Sequence, residues 1–281
     1  GISRGFRLFF QDIDTAETNV GDYETDTRGA GIFFGLPIGE TRRIRLGGDL
    51  ERTEIGVDAD SAQVAQDFVA ENGPENDVLK ATLAWSQDTL NRAIFPTRGT
   101  IHRLSGEIAV PPSDLEYYKI NYLTARYMPT SRQTALRARG EVGFGDGYGD
   151  TLELPFYENF FAGGATSVRG FASRTLGPRD TAPPFDPIGG DKRLLGNLEW
   201  FFPVPGQSRN QGMRMSLFLD TGWVWGPDEK VDLSELRYST GLAFNWLSPV
   251  GPLAIIIAVP LNDEPVDDTE TVQFTLGTPL R

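Results

Sequence analysis

The chain has 281 residues, with 26 basic and 39 acidic side chains and a net charge of −13, which disfavours binding to a polyanionic nucleic acid. It has no cysteine and one histidine, which excludes disulfide bonds, thiol nucleophiles and multi-histidine metal sites. The longest purely apolar run covers residues 253–259, whereas a membrane-spanning helix needs about 20 such residues.

Apolar and polar residues alternate with a period of two along most of the chain, which predicts β-strands. The clearest case is the stretch 214–225, where Ser216, Phe218 and Asp220 lie on one face and apolar residues lie on the other. Strands that cross a bilayer need about 9–11 residues, and this stretch is long enough. In chain order the predicted strands are 3–14, 25–36, 41–55, 78–90, 99–110, 116–128, 134–146, 191–203, 213–225, 236–247, 252–261 and 269–278.

The connections between these strands alternate between short turns with Pro and Gly and longer acidic loops, which is typical of outer-membrane barrels. We therefore predict an all-β fold: a transmembrane antiparallel β-barrel of about 12 strands, forming a single domain over residues 1–281. Its even strand number puts both termini on the periplasmic side. Residues 60–71, in one long loop, form either a short helix or an irregular segment. The strand tryptophans are expected at the membrane interfaces, namely Trp85, Trp200, Trp223, Trp225 and Trp246.

Motifs that suggest catalysis or metal binding are weak. Residues 1–5 match G-x-S-x-G, but a nucleophile elbow needs a strand before the serine and a helix after it, and here only a strand follows. His102, the single candidate base, lies on another predicted strand. The acidic clusters 22–26 and 263–268 are interpreted as solvated loops, or as sites where divalent ions bridge to lipid headgroups; Phe33 stands where a calcium loop needs its closing Glu. We expect no enzymatic activity, no cofactor and no metal centre.

The loop of residues 147–190 differs from the other loops because it is rich in aromatic residues. Residues 156–164 contain four of them, and Phe171 follows in the tetrapeptide Val168-Arg169-Gly170-Phe171. So many aromatic side chains are unfavourable in a loop surrounded by water, so we predict that this loop folds back into the barrel lumen. A charge buried there needs a partner.

Residues 156–164 and the tetrapeptide 168–171 resemble the sixth extracellular loop of the BamA family of outer-membrane protein assembly factors. Segments 116–119, 197–200, 218–222 and 246–253 resemble the same family in the same order, so the resemblance covers essentially the whole chain. It implies that Arg169 reaches the inner barrel wall and pairs with Glu199 and Asp220. The alternation independently places these two acids on inward faces of adjacent strands.

The chain also departs from the pattern of that family, which carries periplasmic POTRA domains and a barrel of sixteen strands. We expect the chain to be a processed product or fragment that corresponds to the C-terminal twelve strands, because Gly1 aligns near the fifth strand of the family and no signal peptide is visible. Gly277 matches a glycine at which the last strand bends inward. The chain does not end in the usual aromatic residue, and Pro279 lacks the donor needed for regular pairing at the end of the barrel.

The resemblance implies a barrel module that folds and inserts β-barrel proteins into the bacterial outer membrane. The expected partners are outer-membrane lipid, nascent β-barrel substrates and, through the missing periplasmic domains, assembly lipoproteins; no nucleic acid is expected. Alternatives are a TamA-like assembly factor, a two-partner secretion translocator, and a passive pore or surface antigen. We also expect the twelve strands to close, with the first strand near 4–10 pairing with the last near 271–278, through fewer hydrogen bonds than at other strand pairs.

Overall fold

A computed structural model of the chain describes residues 1–15, 20–58, 60–206 and 212–277. These residues form one antiparallel sheet of twelve strands whose spatial order follows the chain, which confirms the predicted all-β fold. A helix, α1 (Gln63–Asn72), lies between the third and fourth strands, so the helical alternative for this loop is correct. The strands are β1 Ser3–Asp14, β2 Glu24–Ile38, β3 Arg42–Gly56, β4 Glu75–Asp88, β5 Gly99–Val110, β6 Tyr117–Pro129, β7 Ala135–Gly147, β8 Lys192–Phe202, β9 Met213–Trp225, β10 Arg237–Ser248, β11 Gly251–Pro260 and β12 Val272–Leu276.

The two faces of the sheet differ as the alternation predicts. On β9, Ser216, Phe218 and Asp220 are buried on one face, which we call the inner face, while Leu217 and Leu219 are exposed on the other. The outer face is mostly apolar, and on β1 Leu8 is 86 % exposed. Such a face is costly in water and suits a lipid environment. No helix within the described residues is long and apolar enough to cross a membrane.

Trp225 does not lie at a membrane interface, contrary to the expectation for the five strand tryptophans. Its side chain is 1 % exposed, and its indole Nε1 donates a hydrogen bond to Glu235 Oε2 at 2.6 Å. The residue ends β9, where the loop between β9 and β10 folds over it, so strand alternation no longer decides its environment. Trp200, by contrast, is 41 % exposed on the outer face.

The long loop of residues 147–190, called the docking loop from here on, packs on the inner face, as the sequence predicts. Its Val168 and Phe171 are fully buried in one apolar cluster with Leu195 of β8 and Val224 of β9. A second cluster joins Phe156 of the loop to α1 and to the ends of β2 and β3. The loop therefore fills the space enclosed by the sheet instead of extending into solvent.

The predicted closure of the barrel is wrong for the described residues. β1 pairs only with β2, and β12 pairs only with β11. The β11–β12 ladder has five residue pairs, whereas the β1–β2 ladder has twelve. The observed last strand starts later than the predicted strand 269–278, because the docking loop pairs with the backbone at its start. Phe171 forms a bridge with Thr269, and Glu270 N donates to Gly170 O at 2.9 Å. Residues 278 and 279, on which part of the closure argument depended, lie outside the described residues.

Disulfide formation distinguishes the open sheet from a closed barrel. We expect Leu8→Cys with Phe274→Cys to remain reduced under mild oxidation, because their strands do not pair and a disulfide needs Cα atoms within about 7 Å. The matched control is Ile255→Cys with Phe274→Cys, since residues 255 and 274 are partners across the β11–β12 ladder and should crosslink. Rapid crosslinking of 8 with 274 would mean that the barrel closes.

Candidate functional site

The docking loop is held on the inner face by a buried ion-pair network centred on Arg169. Its guanidinium donates from Nε to Asp220 Oδ2 at 2.6 Å and from Nη2 to Asp220 Oδ1 at 2.8 Å, which is a bidentate pair. The third nitrogen, Nη1, donates to Glu199 Oε1 at 3.1 Å. The guanidinium carbon also lies 3.6 Å from the centre of the Phe218 ring. One arginine thus bonds two carboxylates on two neighbouring strands.

Both carboxylates accept further hydrogen bonds besides those from the Arg169 side chain. Glu199 accepts a second ion pair from Arg137 Nη2 at 2.5 Å and a hydrogen bond from Ser216 Oγ at 2.5 Å. Asp220 also accepts the backbone N–H of Arg169 at 3.2 Å and is completely buried. Burial by itself lowers the pKa of Arg169, but Glu199 and Asp220 outweigh burial and raise this pKa above its ordinary value. The two carboxylates therefore favour the charged form of the guanidinium.

The local backbone explains why glycine follows the arginine. Gly170 has a φ of +92°, a backbone conformation that residues with a Cβ rarely adopt. A Cβ on this residue would also lie 3.1 Å from the Cβ of Ala258 on β11. The flanking Val168 and Phe171 enter the apolar cluster on either side, so the turn at Gly170 is what lets Arg169 point at the wall.

Gln273 on β12 is a further member of the site that the sequence analysis missed. Its Nε2 donates to Phe171 O at 2.7 Å, and its Oε1 accepts the N–H of Gly170 at 3.3 Å. The side chain is 3 % exposed. Alternation with the exposed Phe274 was the available signal, because it places residue 273 on the inner face. The tetrapeptide thus holds β8, β9 and the edge strand β12 in one arrangement.

A second ion pair, of opposite polarity, anchors the beginning of the docking loop. Glu158 of the loop accepts Lys80 Nζ of β4 at 2.7 Å, Lys119 Nζ of β6 at 3.3 Å and the Tyr117 hydroxyl at 3.1 Å. Burial raises the pKa of Glu158, but the two lysines outweigh burial and lower the pKa to about 2. Lys80 also contacts Glu51 Oε2 of β3 at 2.8 Å. The loop is therefore fixed to the sheet at two distant points.

The structure brings together Val168, Arg169, Gly170 and Phe171 with Glu199 and Asp220. Gly277, the predicted bend, directly follows β12 with a φ of +79°, and its N–H donates to Pro252 O at 2.8 Å. The chain after it lies outside the described residues. The site thus contains charge pairs and backbone contacts that hold a loop, which is an arrangement suited to positioning strands.

The residues considered for catalysis or metal binding have other partners. Ser3 donates to Gly35 O at 3.2 Å on β1–β2, whereas His102 lies on β5 and contacts the Tyr122 hydroxyl at 2.8 Å through Nδ1. These two residues belong to strands that do not pair with each other. In the acidic cluster 263–268, Asp267 pairs with Arg237 Nε at 2.6 Å and Asp268 pairs with Arg179 Nη2 at 2.8 Å.

Comparison with known proteins gives consistent matches over the whole chain. The family model of the Omp85 superfamily domain matches residues 1–279. The chain is 34% identical to the outer membrane protein assembly factor BamA of Neisseria meningitidis serogroup B over 99% of this chain and 39% of that protein. It is 29% identical to BamA of Nitratidesulfovibrio vulgaris over 93% of this chain and 32% of that protein.

A solved structure is also similar. The crystal structure of BamA from Haemophilus ducreyi lacking POTRA domains 1-3 matches with a TM-score of 0.89 and 26% identity, over 98% of this chain and 58% of that one. The chain therefore spans 32% to 39% of the length of these two curated relatives and 58% of the solved chain.

Charge reversal tests the Arg169 network. We expect Arg169→Glu to destabilise the docked loop by about 3–5 kcal/mol, because it removes a buried partner and places a third carboxylate beside Asp220 and Glu199. Limited proteolysis should then cut within residues 147–190, where the unchanged protein is protected. Arg126→Glu is the matched control, since Arg126 is exposed on the outer face of β6. Equal protection in both variants would contradict docking through Arg169.

Removing the side chain of Gln273 tests the link between the loop and the edge strand. Gln273→Ala loses two hydrogen bonds to the tetrapeptide, each contributing about 1 kcal/mol. We expect the amide of Ala258, which donates to Thr271 O just before β12, to exchange with deuterium up to roughly 30-fold faster. Val272→Ala, an outward-facing neighbour on the same strand, is the control. Unchanged exchange in Gln273→Ala would mean that the loop does not hold β12.

Proposed function

The chain belongs to the Omp85 superfamily, and on this premise we propose that it is the membrane-embedded part of a machine that folds and inserts β-barrel proteins into the bacterial outer membrane. The relatives named as outer membrane protein assembly factors support this proposal, as does the similarity of the sheet to the BamA barrel. The bacterial outer membrane is the location of the protein.

The observation that carries the proposal is the state of β12. This strand has only five residues, and within the described residues it pairs on one side only. Its other edge presents backbone N–H and C=O groups, which in lipid cost several kcal/mol each when they remain unpaired. An incoming strand that pairs with this edge removes that cost, which is β-augmentation.

The docking loop prepares the edge for this role. Through Gln273 and the backbone of Gly170 and Phe171 it fixes the start of β12, while among the described residues the remainder of the strand is held only by the short ladder with β11. The edge strand is thus positioned at one end and weakly paired along its length. Such a strand can exchange partners without displacing the rest of the sheet.

The process that we propose breaks and forms hydrogen bonds and no covalent bond, so the protein is not an enzyme in this proposal. Its partners are nascent β-barrel chains, which add to β12, and outer-membrane lipid, which contacts the apolar outer face. Assembly lipoproteins, implied by the resemblance to the BamA family, remain part of the proposal. A passive pore is disfavoured by the docking loop, which fills the inner face with buried side chains such as Val168 and Phe171.

Site-specific crosslinking in liposomes tests the proposal. A photoreactive residue in place of Phe274 on β12 should crosslink to a urea-unfolded eight-stranded barrel protein during its insertion. The same residue in place of Phe244 is the matched control, because Phe244 is in register with Phe274 across β11 and faces the same side but lies on β10, which has a neighbour on each side. We also expect liposomes that contain the protein to accelerate folding of this substrate relative to empty liposomes.

Two results would contradict the proposal. Equal crosslinking at 274 and 244 would indicate non-specific contact with the substrate rather than addition to the edge. A large and steady conductance in planar bilayers, without acceleration of folding, would favour a pore.

A further inference from the structure

A cavity of about 290 Å³ lies on the inner face beneath the docking loop. Its roof is formed by residues 165–167 and 169 of the loop, and its walls by inward-facing residues of β5 to β12. The charged residues that line it are five arginines and one glutamate: Arg103, Arg137, Arg139, Arg169, Arg214 and Glu199. This basic lining stands out in a chain whose net charge is −13.

Three of these arginines have carboxylate partners. Arg169 pairs with Asp220, and Arg137 pairs with Glu199. Arg139 Nη2 pairs with Glu141 Oε2 at 2.7 Å. Within the described residues, no carboxylate pairs with either of the other two, so the lining carries an excess of positive charge.

Arg214 is the most unusual of the five because it is buried, with 8 % exposed, and has no carboxylate partner among the described residues. The rings of Phe201 and Phe95 lie 3.5 Å and 4.8 Å from its guanidinium carbon, and Nη1 donates to Pro96 O at 3.0 Å. Its buried Nε has no hydrogen-bond partner in the described part of the chain. Ring contacts use the faces of a guanidinium and leave its N–H donors at the edge available.

Arg103, on β5, lines the same cavity and is exposed. It forms no ion pair with the described residues, so its side chain is free to turn toward a ligand. A buried guanidinium without a counter-charge is costly, and the cost falls when an anion occupies the adjacent space.

We propose that this cavity is a binding site for a phosphate group, with Arg214 as its fixed ligand and Arg103 as its mobile one. Phosphate matches this lining because its charge and its several oxygens accept paired N–H donors from more than one guanidinium. Asn197 and Asn245, which line the cavity, supply neutral polar contacts. The source of the phosphate group is either free inorganic phosphate or a lipid headgroup.

Calorimetric titration of the protein in a neutral detergent with inorganic phosphate tests the site. We expect saturable binding, and roughly 10-fold weaker binding in Arg214→Gln, because a charge-assisted hydrogen bond is lost. Arg103→Gln should also weaken binding, and since this residue is exposed and unpaired, the substitution leaves the fold intact. Arg126→Gln, which removes the same charge from the outer face, should bind as the unchanged protein does.

A second titration with dihexanoyl phosphatidic acid separates the two sources. If it displaces inorganic phosphate and depends on Arg214, the site accepts a lipid headgroup. If it binds equally well to Arg214→Gln, it occupies the outer face, and free phosphate is the ligand of the cavity. The proposal is overturned if inorganic phosphate and the short-chain lipid both fail to bind in a way that depends on Arg214 and Arg103. Because this readout involves no substrate protein, its failure leaves the proposed assembly function unaffected.

Discussion

A guanidinium that is withdrawn from water needs carboxylates around it, and the structure depends on this requirement at Arg169. The residue lies on a loop, yet its partners lie on two strands, so satisfying the charge fixes the loop against the sheet. Val168 and Phe171 are then carried into an apolar cluster, and Gly170 is required by the turn between them. The hydrophobic packing of the tetrapeptide and its ion pairs therefore specify the same position.

The two anchors of the docking loop fix it to different parts of the sheet. The pair at Glu158 joins the loop to β4 and β6, and the pair at Arg169 joins it to β8 and β9. The signs of the charges are reversed between the anchors: the loop supplies the acid at the first and the base at the second. A loop that slipped along the inner face would bring like charges together, which disfavours alternative registers.

Much of this arrangement could be predicted from the sequence, because alternation in a strand fixes which face each residue occupies. It placed Asp220 and Glu199 on the inner face of neighbouring strands, and the resemblance supplied Arg169 as the residue that reaches them. Alternation does not show which strand an edge strand pairs with, because that pairing depends on the arrangement of the whole sheet and not on the local pattern. The closure of β1 with β12 was therefore mispredicted. Gln273 was missed because the pattern gives its face but not the loop that it meets.

The position of the docking loop in the chain has a consequence for the order of folding. Lys80 and Lys119 precede the loop, so the anchor at Glu158 can form as soon as the first half of the sheet exists. Asp220 follows Arg169 by 51 residues and Gln273 follows Gly170 by 103, so the second anchor must wait for strands made later. Contacts of such long sequence separation form slowly, because the intervening chain must be ordered first. The contacts of the tetrapeptide are therefore complete only after the last strand has formed.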